Sequence, residues 1–230
     1  MIKQGSQAWH QQRLGKISGS NIHKLMSNAK KKGELSAGAI TYCNELAADI
    51  VAGHPQEEGF SSPAMERGLE LEPIAVDKFE EYMEELNPVA PVTVKEAGFA
   101  IHPDHPMFGA SVDGIASDGG NLEIKCRGRV AHLQQFLIID RLNNGESVTA
   151  AELLKIAHHQ RQWGMYVTGA THSYFVAYTD DLDIDKGGLL VKRFDRDQEL
   201  INQMEQKAIM ARDLTPQLVK RYKEAIENTK

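Results

Sequence analysis

The feature that most constrains this 230-residue chain is a change of hydrophobic period in its middle third. Val92 to Ile101 alternates well enough for a strand, and Phe108 to Ile115 reads as a second, weakened by Gly109 and Gly114. Ser117-Asp118-Gly119-Gly120 is a tight turn, and Asn121 to Cys126 is a third strand. His172 to Thr179 and Gly188 to Phe194 add two more. Helical patterns lie before, between and after. Ser18 could cap a helix to about Met26, and Ser36 one from Ala37 to Val51. Gly53 to Pro63 is a loop by composition, and Ala64 to Leu86 is a long helix with Pro73 inside it, a kink or a new first turn. Ala151 to Val167 and Asp195 to Asn228 also read helical. The expectation is an α/β fold, a central mixed β-sheet flanked by helices. The hairpins should be antiparallel, and a helical crossover should bring in a parallel neighbour. One domain is expected over 1–230: N-terminal helices 1–63, a core 64–194 and a helical tail 195–230.

Composition narrows the class. A 25% share of charged residues and 41% hydrophobic residues are ordinary globular values. No apolar run approaches the roughly 18 residues of a membrane span, and the first ten residues do not read as a signal peptide. Cys43 and Cys126 cannot build a disulfide framework or a four-thiolate site, so a cytoplasmic setting is expected. The net charge is −6, which argues against a surface coated for nucleic acid. The average hides an asymmetry. Glu57 to Glu85 holds ten acids and two bases, so the other residues sum to +2. Bases cluster at Lys30-Lys31-Lys32, at Arg127 with Arg129, and at Lys192-Arg193 with Arg196.

The chemistry-bearing signal is Ser111-Val112-Asp113-Gly114, a turn, then Leu122-Glu123-Ile124-Lys125-Cys126. Strand alternation sends Glu123 and Lys125 to one side and Leu122, Ile124 and Cys126 to the other. Asp113 closes the preceding strand of the same hairpin, which can bring its carboxylate near Glu123. Two carboxylates on one ledge repel unless a cation lies between them. Hard oxygen ligands without a His or Cys cluster point to Mg²⁺ or Mn²⁺. Lys125 can hold a water or balance charge on a phosphate. The bland alternative is a turn residue at Asp113 and a solvated strand face at Glu123 and Lys125. A second acid-x-Lys triplet, Glu205-Gln206-Lys207, lies in a helical pattern where its ends diverge, and is set aside. His102 with His105, and His158 with His159, recruit no cysteine for zinc.

These residues resemble the PD-(D/E)xK nuclease superfamily, and more closely the lambda exonuclease group of YqaJ-like viral recombinases. The resemblance runs through Trp9 to Gly15, Ile17 to Ser20, Glu66 to Glu72, Ser111 to Gly114, Leu122 to Cys126 and Gln160 to Val167. It implies a restriction-endonuclease-like core and a 5′-to-3′ exonuclease on linear double-stranded DNA. Such an enzyme leaves 3′ single strands for an annealing protein; the alternatives are an endonuclease with the same metal site and a DNA-binding module that has lost catalysis. The resemblance makes Asp113 and Glu123 metal carboxylates, with the Ile124 carbonyl a further ligand to one or two ions. It makes Lys125 the catalytic lysine and Glu72 the glutamate that completes the acidic site. Arg13, with Ser20 and Ser111, would hold a DNA 5′ phosphate; helix capping and turn bonding are the alternatives for the serines. Gln160 lies in the apolar stripe Leu153, Ala157, Gln160, Gly164, Val167. It is either a buried structural amide or a catalytic-site residue in contact with substrate or with the metal-bound water network. Gln162 and Tyr166 resemble a glutamine-tyrosine motif of related nucleases. Trp9 reads as a core anchor rather than a base-stacking platform. A homotrimer and a phage or prophage origin are also implied. Arg127 stands where family members often carry proline, and the stretch to Ala150 looks longer.

Overall fold

The computed structural model describes residues 6–31, 33–55 and 63–230. Lys32 and most of the expected 53–63 loop lie outside the described residues. Helices are α1 (Gln7–Arg13), α2 (Ala37–Ala52), α3 (Pro63–Leu86), α4 (Arg129–Asn143), α5 (Ala150–Lys155), α6 (His158–Thr168) and α7 (Gln198–Asn228). Strands are β1 (Ile17–Ser18), β2 (Val94–Lys95), β3 (Phe99–Ile101), β4 (Phe108–Ser111), β5 (Gly114–Ala116), β6 (Asn121–Cys126), β7 (His172–Tyr178) and β8 (Leu189–Asp195). They form a mixed five-stranded sheet, β2-β5-β6-β7-β8, and a three-stranded sheet, β1-β4-β3. β5 and β6 pair antiparallel, and β6 and β7 pair parallel after the crossover through α4, α5 and α6. The mixed sheet flanked by helices is the expected fold class. No helix among the described residues is long and apolar enough to cross a membrane.

Several boundaries differ from expectation. The two early strand patterns each split between the sheets: β2 and β5 join the large one, β3 and β4 the small one. Gly109 lies where a Cβ would sit 2.2 Å from the tip of the Phe99 ring, so a larger residue there would displace that ring from the β3–β4 contact. Ser18 caps no helix; it is in β1, and a 3-10 helix runs over Ile22–Met26 without a side-chain cap. Ser36 does cap α2, accepting from the Ala39 N–H at 3.1 Å, and Gly53 ends that helix in the left-handed region. α3 runs unbroken through Pro73. The helix expected over 151–167 breaks at Ala157, whose φ of 52° re-aims the chain between α5 and α6.

Packing follows the alternation. On one face of the large sheet, Leu122, Ile124, Tyr174 and Val176 meet Leu71, Ala75 and Phe79 of α3. On the other, Phe175 and Ala177 meet Ile138, Ile139 and Ile156. A third core joins α2 and α7 to Trp163 of α6 and Phe108 of β4.

Candidate active site

The β5–β6 hairpin builds the site. Asp113 stands at its entry: its N–H donates to the Leu122 carbonyl at 3.1 Å, and its Oδ2 accepts from the Ile124 N–H at 2.6 Å. That second bond ties the carboxylate to the strand carrying Glu123 and Lys125. Glu123 is 2% exposed, and its Oε1 accepts from Lys125 Nζ in an ion pair. Packing of Leu71 and Ala75 on the sheet sets α3 so that Glu72 lies in the field of Asp113 and Lys125.

The electrostatics record crowded negative charge. Burial pushes Glu72 up to about 7; Asp113 reinforces the shift and Lys125 opposes it. Burial likewise pushes Glu123 up to about 7, against Lys125 and with Asp113. Asp113 is raised by burial, although Lys125 and the Ile124 N–H work the other way. Burial disfavours the Lys125 ammonium, but Glu123 and Asp113 outweigh it and raise its pKa.

Among the described residues, no three His, Cys, Asp and Glu side chains form a ready-made metal cage. The fit to a hard cation rests on donor chemistry. The donors are all oxygens, three of them carboxylates, and burial penalises the carboxylate charge until a cation relieves it. Glu72, Asp113 and Glu123, with the backbone at Ile124, are the groups that would hold one.

A second cluster adjoins through Ser111, two residues before Asp113. The Trp9 indole N–H donates to Ser111 Oγ at 3.2 Å. The Arg13 guanidinium stacks 4.0 Å from the Trp9 ring centroid, and its Nη2 donates to Ser20 Oγ at 3.1 Å. Ser18 Oγ lies 3.2 Å from Ser20 Oγ. Trp9 is thus an anchor, 9% exposed, with Arg13 across its ring. A groove of about 1160 Å³ opens beside Trp9 and Arg13, lined also by Lys16, Lys24 and Tyr42. Gln160 stands against the loop holding Ser20: a Cβ on Gly19 would lie 3.4 Å from its carbonyl oxygen.

Two expected residues are not brought to the site. Gln162 is buried and spends its amide on backbone, donating to Asp195 O at 3.0 Å and accepting from the Asp197 N–H at 2.9 Å. That bond pair holds the β8–α7 junction. Tyr166 donates to Glu205 Oε1 at 2.7 Å and stacks on His102, within the core shared with α7. Sequence reasoning passed over Arg161, which is 2% exposed inside the sandwich. Its signal was spacing: Arg161 and the buried Met165 fall four residues apart on α6, which turns both to one face.

The mixed sheet and the Asp113, Glu123-x-Lys125 hairpin define a PD-(D/E)xK-type fold. The family model for the YqaJ-like viral recombinase domain matches residues 8–171. The chain belongs to that family. Among solved structures it is similar to the alkaline exonuclease LHK-Exo from Laribacter hongkongensis, with 28% identity, TM-score 0.74, and coverage of 98% of this chain and 100% of that one. The structure of LHK-Exo in complex with dAMP matches at TM-score 0.73, with the same identity and coverage. A phage related exonuclease from Haemophilus somnus 129PT shares the fold at 16% identity, TM-score 0.66, covering 90% of this chain and 96% of that one. Comparison with curated proteins finds no relative of this chain.

Proposed function

We propose that this protein is a divalent-cation-dependent exonuclease that digests linear double-stranded DNA from 5′-phosphorylated ends, 5′ to 3′. The reading extends to its use: the 3′ single strand goes to an annealing protein in phage-type recombination, in the cytoplasm of a bacterial host. The observation that carries it is the adjacency of two clusters. Glu72, Asp113, Glu123 and Lys125 form one, and Arg13, Ser20 and Ser111 the other, with Ser111 and Asp113 two residues apart in the chain. The likeness to LHK-Exo supports nuclease chemistry at such a site.

When bound, Mg²⁺ or Mn²⁺ supplies positive charge against the phosphate and the leaving oxygen. The chain's residues do the rest. Asp113 is held by the Ile124 N–H, so its carboxylate keeps one orientation. Glu123 is pinned by Lys125. The Lys125 ammonium stays charged and can hold a water or neutralise a phosphate oxygen. Arg13 presents a guanidinium suited to bidentate grip of a terminal phosphate, already braced by Trp9 and Ser20. Binding energy at that phosphate is then expressed as positioning of the first scissile bond.

The test is digestion of end-labelled linear duplex, with 5′-phosphate or 5′-hydroxyl ends, beside closed circular DNA, in Mg²⁺ and in EDTA. The expected result is Mg²⁺-dependent loss of linear DNA, faster from 5′-phosphorylated ends, with the circle intact. Arg13→Ala should remove the end preference more than the basal rate. Cutting of the circle would replace this reading with an endonuclease.

A further inference from the structure

The Arg161 guanidinium has no evident reason to be charged where it lies. Its Nε–H donates to the Ile156 carbonyl at 3.0 Å, and its plane sits 3.7 Å from the Phe194 ring centroid and 5.6 Å from that of Phe175. Among the described residues, the buried Nη1 and Nη2 have no hydrogen-bond partner and Arg161 forms no ion pair. Burying an unpaired guanidinium is heavily penalised, and a neutral side chain of similar length would fill the same space.

Its place in the sandwich supplies the reason. In the parallel β6–β7 pair, Phe175 is the register partner of Glu123, so the two side chains stand beside each other on one face. Arg161 covers that face over Phe175. Arg161 and Glu123 are each 2% exposed, so bulk water does little to screen one charge from the other. Burial lowers the Arg161 pKa to about 9, with Glu123 opposing, which leaves the guanidinium protonated at neutral pH.

We propose that Arg161 is a fixed internal counter-charge of the carboxylate cluster, a positioning residue that sets cation affinity through Glu123. The proposal rests on the reading of Glu72, Asp113 and Glu123 as the cation site. With all three carboxylates ionised, Lys125 and Arg161 leave the cluster one net negative charge. Such a site holds a divalent cation weakly until a substrate phosphate adds its own charge and oxygens. Without Arg161 the net charge doubles, and the cation binds tightly with no DNA present.

The test is Mn²⁺ binding to the metal-free protein without DNA, with free Mn²⁺ counted by electron paramagnetic resonance and thermal melting followed in parallel. Arg161→Met and Arg161→Gln should bind Mn²⁺ about tenfold more tightly than wild type, and gain more in Tm from it. Arg161→Lys should stay near wild type. Phe194→Leu, which disturbs the stack and leaves the charge, should lower Tm equally with and without Mn²⁺ and leave affinity unchanged. Arg161 variants that behave like Phe194→Leu would overturn the proposal, since packing alone would then explain the residue. If Arg161→Met does not fold, equal affinities in the Lys and Gln variants overturn it, and tighter binding in Gln than in Lys supports it. Equal Mn²⁺ binding by wild type and Glu123→Gln would instead remove the cation site itself, and this proposal with it.

Discussion

Asp113 and Glu123 differ in what their removal should do to the fold. Asp113 accepts the Ile124 N–H, so Asp113→Asn keeps an acceptor and the hairpin. Glu123 is buried against Lys125, so Glu123→Gln leaves an ammonium with a weaker partner. Both variants should lose turnover by at least about a hundredfold, with Glu123→Gln the less stable in thermal melting; either one turning over normally at saturating Mg²⁺ removes that residue from the site. Lys125→Ala should lose kcat and keep DNA affinity, measured by fluorescence anisotropy with Ca²⁺ in place of Mg²⁺. Equal losses of binding and kcat would make Lys125 a phosphate anchor instead.

At the scale of elements, the β5–β6 turn is fastened to β7 by one carboxylate. Asp118 Oδ2 accepts from Tyr174 Oη–H at 2.6 Å and lies 3.1 Å from His172 Nε2, while its Oδ1 accepts from the Gly120 N–H at 3.1 Å. Burial alone would raise its pKa, but Tyr174, Gly120 and His172 outweigh that and lower it. A depressed carboxylate pKa contributes stability above the unfolded value, near 3.9, and loses it as pH falls through the folded value. Asp118→Asn should therefore melt below wild type at pH 7, and the gap should narrow as pH falls below about 4. A gap that stays constant across that range would mean the carboxylate charge plays no part.

A second element contact bears on catalysis. α6 crosses the Asp113 turn at Gly164, where a Cβ would lie 3.2 Å from Val112 Cγ1. Gly164→Leu should cost about 1–3 kcal/mol of stability and lower kcat by displacing Asp113. Normal kcat in a destabilised variant would show that the turn absorbs the strain.

For the whole molecule, the resemblance implies a ring of three chains, and we propose that assembly for the protein in solution. Sedimentation equilibrium should give three times the 25.6 kDa chain mass, and a single-chain mass at micromolar concentration would reject the ring.

What the sequence determined by itself was local. Alternation set the faces of β6, so Leu122 and Ile124 enter the core while Glu123 and Lys125 share the other side. Ser36 announced the start of α2, and the turn at 117–120 announced the hairpin, because caps and turns depend on a few adjacent residues. Tertiary structure decided the rest. Sorting β2 to β5 into two sheets depends on distant partners, which no local pattern records. Gln162 and Tyr166 share α6 with Gln160, but helical periodicity points them away from it, and the packing of β8 and α7 decides that they meet the Asp195 backbone and Glu205. The meeting of Glu72 with Asp113, and of Arg161 with the face of Glu123, joins residues far apart in the chain. Loop-closure entropy is overcome there only by the apolar packing of α3 and α6 on the sheet, so those juxtapositions exist only in the folded chain.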